Sequence, residues 1–399
     1  MSKIQELDRL MKRFTEEGLS CCGLIVTQHG KVLYENYAGF ADIENKKPVT
    51  ADSLFRMASM SKIPMYTTLM MLYEQGRFLM SDPLYEYFPE WKNSTKLVKK
   101  DNGEIVRLPV EHPITIKNIM NFTCGLPYES IIGGQKVGHP TAIAMRKALE
   151  PLIEKGHDTL REAIKAISAV PLAYEPGTRH LYGFASELAA GMLEVLCGKP
   201  AELVIKEMLF EPLGMDSSAN FLFGDLEQRL VVDYVLNPGK KLGDEGALGI
   251  LSEEREKAMV GPLGSTNGFQ RVITNCRDYN KLMQMLANGG KWQGERIIGR
   301  KTIDLMRTNT LTPQQIREDF TNNYLAGYGY GYGVRTLMDK YAGHHNGSLG
   351  AFGWTGGSGT WAESDPEEGV SIVYMHNLMP NMEEYHHLRM RAAAYGGLE

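Results

Sequence analysis

Ser59 and Lys62, in the stretch "FRMASMSKIPM" (residues 55–65), are the single Ser-x-x-Lys pair of the chain. On a helix, residues i and i+3 share a face about one turn apart, so the hydroxyl and the amine point the same way. A serine hydroxyl is a weak nucleophile at neutral pH and needs a neighbour to take its proton. A lysine amine serves only where burial or nearby positive charge lowers its proton affinity. A helix N-terminus would add a dipole that favours developing negative charge on the serine. Spacing alone leaves the alternative open. A Ser-x-x-Lys pair arises about once by chance in a chain of this size, and most such pairs are solvated helix faces.

The elements that would position this pair are legible around it. Residues 3–17 carry Ile4, Leu7, Leu10, Met11 and Phe14 at helical spacing. "CGLIVTQHGKVLYENYAGFAD" reads as a β-hairpin turning at His29-Gly30. The Ser-x-x-Lys stretch continues through "PMYTTLMMLYEQGRF" as a helix that stops near Gly76, with Pro64 removing one amide donor near its start. Residues 85–110 read as polar and irregular. Helices are expected at 115–122, 158–168, 185–200 (with Gly198 as C-cap and Pro200 beyond it) and 275–290. "YGYGYGVRTL", "AFGWTGGSGTWAES" and "GVSIVYMHN" read as short strands with glycine turns, before a last helix at about 381–394. Strands at both ends and helices between them imply one antiparallel sheet flanked by helices, with a mostly helical lobe inserted. The expected division is 1–84 plus 245–399 for the sheet domain and 85–244 for the lobe, with a cleft where they meet.

The 399 residues suffice for a two-lobed enzyme, and 43% apolar with 23% charged residues is ordinary for a globular protein. The net charge of −5 argues against nucleic acid or an anionic membrane as the main partner. The first 18 residues are charged throughout and lack an export-signal core, and no run of 18 apolar residues exists. The five cysteines, Cys21, Cys22, Cys124, Cys197 and Cys276, form no zinc-type pair or disulfide frame, so a reducing cytoplasm is expected. There is no Gly-x-Ser-x-Gly elbow and no His-Glu-x-x-His. The adjacent pairs His344-His345 and His386-His387 are a poor geometry for one metal and read as surface or turn histidines. "GYGYGYG" (327–333) fits no phosphate-binding fingerprint and reads as a strand beside a cleft wall.

"SLFRMASMSKIPM" resembles the nucleophile segment of the serine β-lactamase-like superfamily, in particular class C β-lactamases, family VIII carboxylesterases and penicillin-binding relatives. The resemblance covers nearly the whole chain. It includes the opening hairpin, "GRFLMSDPLYEYFPEW", "ITIKNIMNFTCGLPY", "YEPGTRHLYGFASELAAGMLEVLCGKP" and "LFEPLGM" in the family's order. It implies an α+β, β-lactamase/transpeptidase-like fold. It makes Ser59 the nucleophile, Lys62 its base and Tyr182, after "EPGT", the tyrosine that shares proton transfer. A literal Tyr-x-Asn at Tyr34-Glu35-Asn36 lies on the first hairpin and is set aside. The third element resembles Trp354-Thr355-Gly356, where the family carries Lys-Thr-Gly or Trp-x-Gly. The amides of Ser59 and Gly357 would then form the oxyanion hole.

The departures from the family shape the substrate expectation. Phe184 stands where β-lactamases hold the substrate's side-chain amide, and Trp354 stands where they anchor its carboxylate. Lost polar partners weaken recognition of a polar substrate. Phe122 and Cys124 replace the usual His and Ser of their segment. Trp354, Thr355, Gly356, Phe184 and Cys124 are the expected substrate-binding residues. The resemblance implies a serine hydrolase cleaving small acyl esters through an acyl-enzyme, with no metal or organic cofactor. The alternatives are an amidase on the same site (β-lactamase, D-amino-acid peptidase or penicillin-binding type) and a non-catalytic scaffold. Oligomeric state and natural substrate are left open.

Overall fold

The computed structural model describes residues 4–128, 130–132, 135–154, 159–220, 224–252 and 272–398. Residues 253–271, within the segment assigned above to the sheet domain, lie outside the described residues.

The amphipathic N-terminal stretch forms α1 (Ile4–Glu16). It leads into a hairpin of β1 (Cys21–Gln28) and β2 (Lys31–Asp42). Its two-residue turn, His29-Gly30, has φ of 49° and 79°. Positive φ at both turn residues matches the right-handed twist of the strands they join. The short β3 (Lys47–Pro48) follows, then helix α2 (Lys62–Glu74). Two further helices matter to the site: α3 (Ala185–Cys197), which ends on left-handed Gly198, and α4 (Cys276–Ala287), capped by the Asn275 side chain. The C-terminal part supplies β4 (Tyr328–Tyr330), β5 (Arg335–Leu337), β6 (Phe352–Thr355), β7 (Trp361–Asp365) and β8 (Val370–His376), and ends on α5 (Leu388–Gly396).

Among the described residues, eight strands make one sheet in the order β4–β5–β6–β7–β8–β1–β2–β3, every pairing antiparallel. The N-terminal hairpin joins the C-terminal strands at β1–β8, with Cys22 opposite His376 and Gln28 opposite Val370. β8 is buried along its whole length because helices cover both faces of the sheet. Cys22, Leu24 and Val26 of β1 pack toward α1 and α5 with Phe14, Trp361 and Tyr374. Cys21 and Ile25 point the other way, into the larger core that contains α2, α3 and α4. Residues 62–72 of α2 are all buried, so this helix is the central post between sheet and helical region.

Three local expectations are corrected. Residues 85–110 are not irregular throughout: Thr95–Lys99 and Ile105–Pro109 pair as a hairpin. Ser59 lies in a 3-10 turn, Ala58–Ser61, and α2 begins only at Lys62. At three residues per turn, i and i+3 eclipse, so the Ser–Lys pairing survives the change of helix type. The histidine pairs are not surface features, His344 apart. His345 is buried against Glu363 with Nε2 at 3.1 Å from its carboxylate, and His386 and His387 are buried behind the sheet near His376.

This last burial has a pH consequence. Burial lowers His386 and His387 to about 3. A histidine depressed in the folded state holds fewer protons there than in the unfolded chain, so its stability contribution is full above about 6.5 and is lost as pH falls toward 3. Each such group gives a slope of about 1.4 kcal/mol per pH unit inside that window. Neither ring nitrogen of His386 meets a hydrogen-bond partner among the described residues, and its ring stacks on Phe14 at 4.0 Å. Replacing His386 with Phe should therefore leave stability at pH 7.5 little changed and flatten its decline between pH 6.5 and 5. Urea midpoints measured across that range check this, and an unchanged slope in the variant refutes it.

Candidate active site

Ser59 is placed by a strained and heavily anchored turn. Ala58, just before it, has φ of 45°, an uncommon value for a residue with a Cβ. Met57 holds the turn on three sides. Its amide donates to the Val272 carbonyl at 2.9 Å, while its own carbonyl accepts from the Met60 amide at 2.9 Å and the Thr360 hydroxyl at 3.1 Å. Ser61 Oγ accepts from the Val272 amide at 3.1 Å, and Tyr279 Oη donates to the Met60 carbonyl at 2.8 Å. Pro64 falls within the first turn of α2, where a missing N–H forfeits no intrahelical bond.

Lys62 is only 1% exposed. Its Nζ donates to Ser59 Oγ at 3.5 Å, a long contact of the kind that tightens when a reacting group arrives. The same Nζ stands 5.0 Å from the centroid of the Tyr182 ring and 5.7 Å from that of Tyr128. Two ring faces thus take the place of water around the amine.

Tyr182 reaches this position because its strand-like segment is gripped by the segment at 122–126. Leu181 donates to the Phe122 carbonyl at 2.8 Å and Phe184 to the Leu126 carbonyl at 2.9 Å. A Cβ at Gly183 would lie 1.9 Å from the Leu126 carbonyl oxygen, so only glycine allows the two backbones this close. The Tyr182 ring is stacked between Phe122 (4.7 Å, 20°) and Trp354 (5.3 Å, 29°). Trp354 Nε1 donates to Tyr182 Oη at 3.1 Å. That bond occupies one lone pair of the phenol and leaves its O–H and second lone pair for the pocket.

The turn between β6 and β7 carries Gly356 and Gly357. Gly356 packs on the Ser59 turn so closely that a Cβ there would sit 2.5 Å from the Met57 carbonyl oxygen. Gly357 is exposed, and among the described residues neither its amide nor that of Ser59 donates to another residue. Both amides are thus left free of partners on turns that Met57 and Thr360 tie together.

The structure thus gathers Ser59, Lys62, Tyr182, Trp354 and Gly356 into one cluster, with Phe184 beside it against Tyr128 at 5.1 Å. Two expected substrate contacts are corrected. Cys124 is fully buried and its thiol is pushed up to about 12 by burial, so it shapes the pocket from behind and is a poor nucleophile. Thr355 follows Trp354 on a strand and faces the other side. Its hydroxyl donates to the Thr360 carbonyl at 3.3 Å and accepts from Asn381 Nδ2 at 3.4 Å. Tyr34 and Asn36 both bind Asp8, remote from the site.

Sequence reasoning missed Tyr128 and Glu187, whereas the run "GYGYGYG", read as a strand beside a cleft wall, does supply Tyr330. Tyr330 packs edge-on to Trp354 at 5.1 Å and to Phe122 at 5.7 Å. Glu187 had a signal: it is the one charged residue in the otherwise apolar run "ASELAAGML".

A family model described as Beta-lactamase matches residues 7–396. Protein Rv1367c of Mycobacterium tuberculosis is 27% identical, over 91% of this chain and 87% of its own length. Esterase EstB of Burkholderia gladioli is 26% identical, over 48% of this chain and 44% of its own. Among solved structures, EstCE1, described as a hydrolase with promiscuous acyltransferase activity, superposes with a TM-score of 0.78 at 21% identity, over 99% of this chain and 98% of that one.

The Trp354–Tyr182 bond gives a measurable expectation. Trp354→Phe keeps an aromatic ring but removes the N–H, a loss of about 1 kcal/mol for a neutral hydrogen bond. Turnover of a p-nitrophenyl ester should fall roughly fivefold in kcat with KM little changed. Steady-state kinetics check this, and a pure KM effect would mean the indole serves substrate packing instead.

Proposed function

Because this chain belongs to the Beta-lactamase family, we propose that within that family of serine hydrolases it is a carboxylesterase-like enzyme acting on small acyl esters. The observation that carries this reading is the aromatic pocket around the Ser59–Lys62 pair. Tyr128, Tyr182, Phe184 and Trp354 stand at it, backed by the buried rings of Phe122 and Tyr330, while Trp354 and Phe184 occupy the positions where a β-lactam would need polar partners. Such walls suit an apolar acyl or alcohol group.

In the mechanism, Lys62 in its neutral form takes the Ser59 proton as Oγ attacks the ester carbonyl. The Ser59 and Gly357 amides hold the oxyanion. Tyr182 protonates the departing alkoxide, the C–O bond breaks and the acyl group stays on Oγ. Water then attacks the acyl-enzyme, giving up its proton through Tyr182 and Lys62, and Ser59 leaves with a proton restored. The relative named Esterase EstB supports the ester reading. An amidase on the same residues is the second reading; its substrate would need hydrogen-bond partners that Phe184 and Trp354 do not supply.

The test uses p-nitrophenyl butyrate, nitrocefin and a D-Ala-D-Ala peptide, with intact-mass spectrometry on the same samples. Ester turnover with a transient acyl adduct on Ser59, and its loss in Ser59→Ala with the fold retained, is the expected result. Turnover of nitrocefin or the peptide in preference to the ester would establish the amidase. Full ester activity in Ser59→Ala would remove the assigned nucleophile.

A further inference from the structure

Glu187 sits in the first turn of α3 with 1% of its surface exposed. Its carboxylate is held by named donors: Ser186 Oγ reaches Oε2 at 2.9 Å and Tyr128 Oη reaches Oε1 at 3.3 Å. Tyr128 Oη and Ser186 Oγ are themselves 3.1 Å apart. The Tyr128 ring is one of the two that face Lys62 Nζ. Carboxylate, phenol and amine therefore lie side by side, with the carboxylate and the amine both buried, and the mechanism above gives the carboxylate no part. Burial pushes Glu187 up to about 7, while the charge of Lys62 and the Ser186 and Tyr128 hydrogen bonds pull the other way. Among the described residues, the Tyr128 phenol and the Cys124 thiol are other titratable groups that act on it.

We propose that Glu187 is a positioning residue for the general base: held by the Tyr128 hydroxyl behind the ring that faces Lys62, its charge is coupled electrostatically to that of the amine, so that the two groups together carry one proton. This rests on the reading of Lys62 as the base of Ser59. The physical reason is charge balance. One proton on the pair gives either ammonium with carboxylate or amine with carboxylic acid, and both forms are neutral overall. The neutral amine needed for catalysis is then reached without stranding a charge in a low-dielectric pocket. The acidic limb of the rate profile is then the readout of that charge balance.

The test is the pH profile of kcat/KM for p-nitrophenyl butyrate in Glu187→Gln, Glu187→Asp and Tyr128→Phe. The glutamine keeps the size and hydrogen-bonding reach of the side chain but removes its charge. Without a carboxylate to favour the ammonium, the acidic limb should move toward lower pH by about one unit. Tyr128→Phe keeps the ring over Lys62 and removes a hydrogen bond that favours the Glu187 carboxylate, so its limb should move the same way. Glu187→Asp should stay near the parent profile. Thermal melts serve as the fold control. A carboxyl raised by burial costs stability as pH rises from its unfolded value near 4.5 through 7, so Glu187→Gln should gain in melting temperature over the parent at pH 8 and not at pH 5. A limb that stays in place in both Glu187→Gln and Tyr128→Phe, with only the plateau lowered, overturns the proposal and leaves Glu187 a packing residue. Failure of the underlying reading looks different: Lys62→Ala would retain turnover, or a fluorophosphonate would fail to label Ser59 in the parent protein.

Discussion

A lysine amine withdrawn from water at the junction of sheet and helices is the constraint on which the site depends. A buried ammonium is expensive unless something replaces its solvent. Among the described residues no carboxylate oxygen lies within ion-pairing distance of Lys62 Nζ, and the rings of Tyr128 and Tyr182 face it instead. Those rings must themselves be held, which accounts for much of the surrounding architecture. Phe122 backs Tyr182 on one side, Trp354 on the other, and the backbone bonds from residues 122–126 fix the segment that carries the phenol.

Met57 is the mechanical counterpart of that electrostatic arrangement. Its amide and carbonyl join three pieces of chain distant in sequence: the Ser59 turn, the strand at Ile273–Thr274 through Val272, and the β6–β7 turn through Thr360. The two amides that would hold an oxyanion belong to the first and last of these. The distance between them is set by the sheet, because β6 is paired with β5 and β7 and its end cannot drift independently. A strained Ala58 persists where so many bonds over-determine the turn.

The aromatic character of the pocket follows from two substitutions read against the family pattern. A tryptophan in place of a cation offers one N–H, and that N–H goes to the Tyr182 oxygen. The same indole presents its face to the tyrosine ring and its plane edge-on to Tyr330. One side chain thus both hydrogen-bonds the Tyr182 phenol and builds the aromatic cluster around it.

Much was determined by the sequence alone, where the signal is local. Hydrophobic period, a two-residue turn at His29-Gly30 and a glycine C-cap at 198 depend on residues a few positions apart, and α1, the first hairpin and α3 lie where those signals put them. The family assignment was also legible, because its motifs are short and their order along the chain is preserved. Tertiary structure decided what depends on contact between remote segments. The hairpin at Thr95–Lys99 and Ile105–Pro109 lies in a polar stretch with weak alternation, and the histidines at 386 and 387 are buried only because α5 and α1 close over that face of the sheet. Cys124 and Thr355 share motifs with pocket residues, yet burial and strand alternation turn their side chains away from it. The place of Glu187 could not be read as anything but an anomaly in an apolar run. Only packing of α3 against α2 and Tyr128 shows what it faces, since which charges share a dry pocket is a property of the fold and not of spacing along the chain.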